Sequence, residues 1–528
     1  MPPTVASSSQ QAPRLESHVS PDVFLHVPTS VARLKTGGAA RKIRHETTDS
    51  GTTATATSMS LNLVFFITGN PGLIGYYHPF LAGLARALDG KDKDDEQRER
   101  SRGGGAVPVL AGFSLGGFEV EDWDRDCDSR AVTAEGQSAS GRHESLRDLL
   151  FPASAALSPS SCREKIHTLA EQVALCYARL ENLVGRIRLH FAEELAGSRR
   201  KGAGGGGGGG DAPGASGMDA PDVEIDVTLI GHSVGAYIAL ELVRLCHERA
   251  RNERPSLSLS PSQLSPGSAS SAPATAASTS TTTDTTTTAA APAPSPARWH
   301  IDSSILLTPT IQDLYLSPSG RMASLLLTYT PFMPGLAHGL VQNVLVNWLP
   351  GSWIEALVQR ATGMRVGSHG LATTLAFLRS RNGVRQALEM AKCELREIRG
   401  ESWGGEVWGA TAVAEVDGHG DGVGQVVRTP RLYFWFAKQD HWVADVTREE
   451  ILRRRGGRRT GFLYGDGQGK LGPGDGLQSE EYHRVRNRAP KILIDETERL
   501  VHAWCLTQSE LVTRRVGGWL EELWDQNE

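Results

Sequence analysis

The sequence is poor in several features that would mark a protein class. Only six of its 528 residues are cysteine: Cys127, Cys162, Cys176, Cys246, Cys393 and Cys505. None forms a CxxC pair or a CxxH spacing, which excludes a disulfide scaffold and a structural zinc site. Met1 to Ser20 is Ser, Gln and Pro without an apolar run, so no secretory signal is expected and a reducing, intracellular setting follows. Charge of one sign is also missing: 60 acidic residues face 55 basic ones, a net charge of −5. Such a balanced surface has no general attraction for phosphate, and nucleic acid is excluded as a partner. From Met322 to Ile354 there are 33 residues without Lys, Arg, Asp or Glu.

Low-complexity or polar padding takes up much of the length. By composition, 1–20, 91–105, 199–222, 255–297, 399–425 and 455–480 are not expected to bury a core. The clearest is 255–297, a Ser/Thr/Ala/Pro stretch read as a disordered insertion. What remains suffices for one large domain over 21–528, with an embellishment around 311–400.

Short apolar runs bounded by Gly, Pro or polar clusters predict buried strands at Leu61–Ile67, Val107–Ala111, Val223–Ile230, Ile305–Leu307, Leu432–Phe436 and Ile492–Ile494. Between them lie helical patterns. The longest runs from Cys162 to Phe191, where Ile166, Leu169, Val173, Cys176, Leu180, Leu183 and Ile187 form one apolar stripe. Strands alternating with helices predict an α/β fold with a mainly parallel sheet.

Gly231-His232-Ser233-Val234-Gly235 fits the nucleophile-elbow pattern G-x-S-x-G. In that turn a strand reverses sharply into a helix, the serine hydroxyl is exposed, and side chains in place of the glycines would collide. The helix N-terminus also points backbone N–H groups at a developing oxyanion, Val234 N–H among them. Gly112-Phe-Ser114-Leu-Gly116 matches the pattern equally well. Only Ser233 has a strand before it and an amphipathic helix after it, so Ser114 reads as a loop serine.

A serine nucleophile needs a base, and the base needs a carboxylate to orient it. In this fold the acid and then the histidine follow the serine in the chain. Asp440 lies just beyond the strand Leu432–Phe436, with Asp313, Asp445 and Asp495 as rivals. An aspartate there could also simply cap the next helix. His502 follows the last candidate strand. His441 adjoins Asp440 too closely to face it, and His483 sits in a polar, basic segment. The second oxyanion donor is expected from Gly69-Asn70-Pro71-Gly72; Pro71 has no N–H, leaving Asn70 or Gly72.

These residues carry a family likeness. Gly69-Asn-Pro-Gly-Leu-Ile-Gly-Tyr-Tyr77, Gly231-His-Ser-Val-Gly-Ala-Tyr237, Leu307-Thr-Pro-Thr-Ile311, Ser317-Pro-Ser-Gly320 and His502-Ala-Trp504 resemble the motifs of the lipid droplet-associated hydrolases. The resemblance implies an α/β-hydrolase fold with helices on both sheet faces. It implies Ser233 as nucleophile, Asp440 as acid and His502 as base. It also implies association with lipid droplets and the cytosolic face of the endoplasmic reticulum, and neutral-lipid esters, usually sterol esters, as substrates. The chain departs from a compact member at 199–222, 255–297 and 455–480, and 62 residues separate Asp440 from His502.

The uncharged stretch 322–354 exceeds the ~20 residues that span a bilayer as a helix. Pro331, Pro334 and Pro350, with Gly335, Gly339 and Gly351, divide it, which disfavours a single spanning helix. It reads as a hairpin or amphipathic cap in one leaflet, or as a buried cap over the serine. The chemistry expected is two-step acyl transfer on an acylglycerol or sterol ester, without metal or organic cofactor. A non-catalytic lipid-surface protein on the same fold, and a thioesterase or acyltransferase, are the alternatives.

Overall fold

The structure is a computed structural model that describes residues 15–28, 41–42, 57–89, 108–121, 146–152, 165–203, 223–252, 299–408, 429–455, 491–495 and 499–525. The expected insertion 255–297, the padding 91–105 and 455–480 apart from Arg455, and His483 lie outside these residues.

Among the described residues one sheet of nine strands forms the centre. The strands are β1 (His18–Val19), β2 (Val23–His26), β3 (Arg41–Lys42), β4 (Thr57–Ile67), β5 (Val109–Phe113), β6 (Val223–His232), β7 (Trp299–Leu307), β8 (Arg431–Ala437) and β9 (Lys491–Asp495). Their order is β1-β2-β5-β4-β6-β7-β8-β9, with β3 beside β4. From β5 through β9 every neighbouring pair is parallel, whereas β1, β2 and β3 add antiparallel edges. Leu63 to Ile67 of β4 are all buried, as expected for a strand covered by helices on both faces. All six expected strands are present.

The connections follow from α1 (His78–Leu88), α2 (Leu169–Ala203), α3 (Val234–Asn252) and, after the last strand, α10 (Ser509–Asp525). α1 packs with α10, and α2 with α3. The chain leaves β4 for β5 on one side, then returns to place β6 on the other side of β4. That reversal opens a crevice between the loops after β4 and β6, where α/β sheets hold their ligands. Register brings the strand ends together: Ile67 pairs with Gly231, His232 with Leu307, Leu307 with Trp435, and Ala437 with Asp495.

Between β7 and β8 the chain inserts α4 (Pro318–Tyr329), α5 (Met333–Leu340), a π-helical turn Val341–Val346, α6 (Gly351–Thr362), α7 (His369–Arg379) and α8 (Gly383–Glu397). α9 (Asp445–Arg455) follows β8. Ser317 caps α4 by accepting from Gly320 N at 2.9 Å. No helix among the described residues is long and apolar enough to cross a membrane. The reading of this region as a buried cap is corrected on its outer side. Twelve of the seventeen large hydrophobics exposed among the described residues fall between Met322 and Val366.

Three other expectations need correction. The helix expected from Cys162 begins at Leu169, because Thr168 and Glu171 form a reciprocal capping box: Thr168 N donates to Glu171 Oε2 at 2.9 Å and Glu171 N to Thr168 Oγ1 at 3.3 Å. At its other end it continues to Ala203, into the stretch 199–222 that is not expected to bury a core. The padding is also narrower than its composition implies. Leu15 joins the core, and β1 lies inside 1–20; within 399–425, Trp403, Val407 and Trp408 are buried. Few apolar residues mark these stretches, but each aromatic or leucine is placed against an existing core.

One buried ion pair locks α2 to the sheet. Arg179 and Glu119 are almost fully buried and 3.3 Å apart. Arg179 also donates to Leu150 O at 2.8 Å and Ser114 O at 2.5 Å. Burial pushes the Glu119 carboxyl up to about 7, against the pull of the guanidinium. Removing one partner of such a pair strands the other in a low dielectric. Arg179→Met is expected to lower the unfolding free energy by ~3–5 kcal/mol, measured by urea denaturation, and adding Glu119→Leu to restore part of it. A loss below about 1 kcal/mol would show that the carboxyl relaxes without its partner.

Candidate active site

Ser233 sits between the last residue of β6 and the first of α3, at φ 54°. That left-handed conformation is rare outside glycine. Its neighbours explain why glycine flanks it. A β-carbon on Gly231 would lie 2.4 Å from Gly235 O, and one on Gly235 would lie 2.4 Å from Ile67 O. Backbone therefore crosses backbone on both sides of the serine. Ser233 N donates to Leu307 O at 3.1 Å, tying the turn to β7.

The loops after β8 and β9 complete the arrangement. His502 Nε2 is 2.9 Å from Ser233 Oγ, and His502 Nδ1 is 2.8 Å from Asp440 Oδ2. Only 1% of the Asp440 side chain and 17% of the His502 side chain are exposed. Asp440 Oδ1 accepts from Trp442 N at 2.8 Å, so the carboxylate also closes its own turn. The imidazole thus spans hydroxyl and carboxylate, a geometry that can take a proton at Nε2 while the Nδ1 side stabilises the resulting charge.

The rivals are engaged elsewhere. Asp313, at φ 46°, accepts from Gly400 N at 2.9 Å. Asp445 opens α9 and pairs with Arg448 at 2.9 Å. Asp495 accepts from Leu500 N. The carbonyl of His441 accepts from Ser319 N at 2.9 Å, joining the Asp440 loop to α4. Ser114 is wholly buried; its Oγ accepts from Ile74 N at 3.2 Å.

For the oxyanion donors, Val234 is the first residue of α3, where an N–H has no partner within the helix. The loop after β4 lies against the serine at Gly69, whose added β-carbon would meet Ser233 Cβ at 3.1 Å. Gly69 N is spent on Tyr77 Oη at 3.1 Å. Asn70 follows, and among the described residues its backbone N–H has no protein acceptor. Gly72 is corrected as a companion of the serine. It packs on Leu115 and Phe118, and its carbonyl accepts from Leu115 N at 2.7 Å. The sharp turn at Pro71 directs it to the β5 loop.

A second set of residues holds the histidine, and the sequence reading did not include it. His232 Nε2 is 2.8 Å from His502 O, and His232 Nδ1 is 2.7 Å from Tyr77 Oη. Tyr77 Oη accepts from Gly69 N and donates to His232 Nδ1, which leaves Nε2–H to donate to the carbonyl. Burial lowers the His232 pKa to about 3, helped by the proximity of His502, in agreement with a neutral ring in this tautomer. Trp504, wholly buried, stacks edge-on against Tyr77, Phe80 and His232. In the sequence these residues stand inside the motifs Gly69–Tyr77, Gly231–Tyr237 and His502-Ala-Trp504, with nothing to mark the contacts they make.

A mainly parallel sheet with a strand–serine–helix turn, and with acid and histidine beyond its last two strands, is the α/β-hydrolase fold. A family model described as lipid-droplet associated hydrolase matches residues 60–185 and 218–505, and the chain belongs to that family. A solved structure of the Vlm2 thioesterase domain bound with a dodecadepsipeptide aligns at 9% identity over 86% of this chain and 91% of that one. Its TM-score of 0.25 is too low for any argument to rest on it.

Because native His232 stays neutral where the unfolded chain's histidine takes up a proton, stability should fall as pH drops from about 6.5 towards about 3, by up to ~1.4 kcal/mol per pH unit. Glutamine can present the same acceptor to Tyr77 and donor to His502 without titrating. Urea unfolding across that window is expected to show a shallower fall for His232→Gln than for wild type; equal slopes would refute the assignment.

Proposed function

We propose that this hydrolase is a serine esterase of neutral lipids, acting on sterol esters or acylglycerols at the surface of lipid droplets and the cytosolic face of the endoplasmic reticulum. The observation that carries the reading is the Ser233–His502–Asp440 chain of hydrogen bonds, at 2.9 Å and 2.8 Å. His502 Nε2 takes the Ser233 proton as Oγ attacks the ester carbonyl. Asp440 stabilises the imidazolium through Nδ1. The oxyanion rests on the N–H groups of Val234 and Asn70, at the positive end of α3. Protonated His502 then gives its proton to the departing alcohol, and water activated by the same nitrogen releases the fatty acid from Ser233.

The lipid surface is supported by a separate observation. Met322, Tyr329, Phe332, Trp348, Trp353 and Val366 are each at least 64% exposed, and Trp348 reaches 83%. So many large apolar side chains exposed on one insertion are a mark of an interaction surface. Arg321, Arg360 and Arg365 stand exposed along the same helical insertion, where arginine suits phospholipid headgroups. This face would bury itself in a droplet monolayer, as interfacial amphipathic helices do.

Fluorophosphonate labelling of wild type, Ser233→Ala and Ser114→Ala tests the serine, with a sterol ester and a triacylglycerol hydrolysed in parallel. Wild type and Ser114→Ala are expected to label. Ser233→Ala should not, with hydrolysis reduced by at least ~10³-fold. Folded wild type that neither labels nor hydrolyses would favour a non-catalytic surface protein, and preference for thioesters would point to a thioesterase.

The surface is tested separately. Trp348→Glu with Trp353→Glu is expected to weaken binding to phosphatidylcholine-coated triolein droplets by about tenfold or more. Turnover of a water-soluble short-chain ester should stay unchanged. Unaltered flotation with the droplets would overturn this role for the face.

A further inference from the structure

Glu394 on α8 is a nearly buried acid, 6% exposed, and it reaches the loop that adjoins the serine. Its Oε1 accepts a 2.9 Å hydrogen bond from Asn70 Nδ2, and the same nitrogen donates to Ala387 O at 2.9 Å. Ala387 and Glu394 lie two turns apart on one face of α8, so the helix grips Asn70 at two points. A carbonyl can only accept, which fixes the amide with its nitrogen towards α8. The helix is in turn anchored to the body by fully buried Gln386, which accepts from His167 N at 2.7 Å and donates to His167 O at 2.9 Å.

The chemistry of the grip is unusual for an acid. Burial pushes the Glu394 carboxyl up to about 8, and the Asn70 hydrogen bond opposes this only in part. Arg385, Glu389, Lys392, Cys393, Arg396 and Glu397 share α8, and Arg321 on α4, His338 on α5, His369 on α7 and Glu171 on α2 stand on elements packed against it, but the causes of the shift are burial and the Asn70 hydrogen bond. At neutral pH the site therefore holds a polar acceptor without a negative charge.

We propose that Glu394 is a positioning residue for acyl transfer: from the cap it fixes Asn70, and with it the backbone N–H that receives the oxyanion. The inference rests on the reading of Ser233 as nucleophile and Asn70 as oxyanion donor. An uncharged acceptor matters here because a carboxylate one side chain away from the developing oxyanion would raise the barrier it is meant to lower. Ionisation of Glu394 above about pH 8 is thus expected to slow the reaction, independently of His502, which must be unprotonated to act as base.

The test uses the full chain and its Glu394→Gln and Glu394→Ala variants, with a soluble p-nitrophenyl ester and a fluorophosphonate, from about pH 6 to about pH 10. Wild type should lose rate as pH rises through about 8. Glu394→Gln keeps the acceptor and cannot ionise, so it should hold at least about half the wild-type kcat near neutral pH and lose the alkaline fall. Glu394→Ala should lower kcat by about ten- to a hundredfold with KM within about twofold. If Glu394→Ala does not fold, the Glu394→Gln profile decides alone. An active wild type whose Glu394→Gln variant keeps the same alkaline fall overturns the role of Glu394, as does an alanine variant that loses thermal stability but not kcat. A folded wild type that neither labels nor turns over overturns the serine reading, and this inference with it.

Discussion

The backbone turn at Ser233 is the constraint on which the rest of this molecule depends. A non-glycine residue at φ 54° costs on the order of 1–3 kcal/mol and persists only where its surroundings allow nothing else. Here β6 lies centrally, hydrogen-bonded to β4 and β7. α3 returns so closely that Gly235 meets the carbonyls of Ile67 and Thr68. A relaxed serine would pull α3 off β4, and the helix carries Val234, Ile238, Leu242 and Val243 into the core. Hydrophobic burial along that helix holds the strain in place.

From this turn, order spreads to the histidine by a route that does not use the acid. Asp440 sets the face of the imidazole, but the position of its backbone is set by His232, which donates to the His502 carbonyl. His232 is itself held by Tyr77, and Tyr77 by Gly69 N. Serine, histidine and the loop after β4 are thus joined through one neutral ring and one phenol, both buried. Burial also pushes Tyr77 well above its ordinary pKa, so it remains a donor. A charged group in the same place would bring its own field to the site; a neutral histidine supplies direction without it.

How much of this was legible in the sequence follows from the range of each interaction. Leu61–Ile67, Val223–Ile230 and Leu432–Phe436 announce themselves as apolar runs because parallel strands are covered on both faces. Once those strands are known, the loops after them must carry the chemistry. Ser233, Asp440 and His502 follow by position, and the structure brings them within hydrogen-bonding distance. The antiparallel strands β1 and β2 are two and four residues long and too short for a period to show. Trp403 and Trp408 stood in a Gly-rich neighbourhood whose composition concealed them. The Asn70–Glu394 bond joins residues 324 positions apart, and a hydrogen bond across that distance leaves no pattern in either local sequence.

The insertion between β7 and β8 divides its two faces between different demands. α7 and α8 turn polar groups inward: His369 lies 3.0 Å from Cys505 O, Thr374 is 2.9 Å from Tyr76 Oη, and Glu394 holds Asn70. α4 to α6 turn apolar groups outward, with no charge between Arg321 and Glu355. Directional bonds suit the inner side, where loops must be placed to fractions of an ångström. Non-directional apolar burial would suit the outer side if, as proposed, it meets a fluid lipid surface with no fixed partner. The prolines and the π-helical turn keep the outer helices to between 8 and 12 residues. A longer apolar helix would bring the chain towards the length that spans a bilayer. Short helices would let the face lie flat on such a surface while the inner helices stay seated on the loop after β4 and the histidine loop.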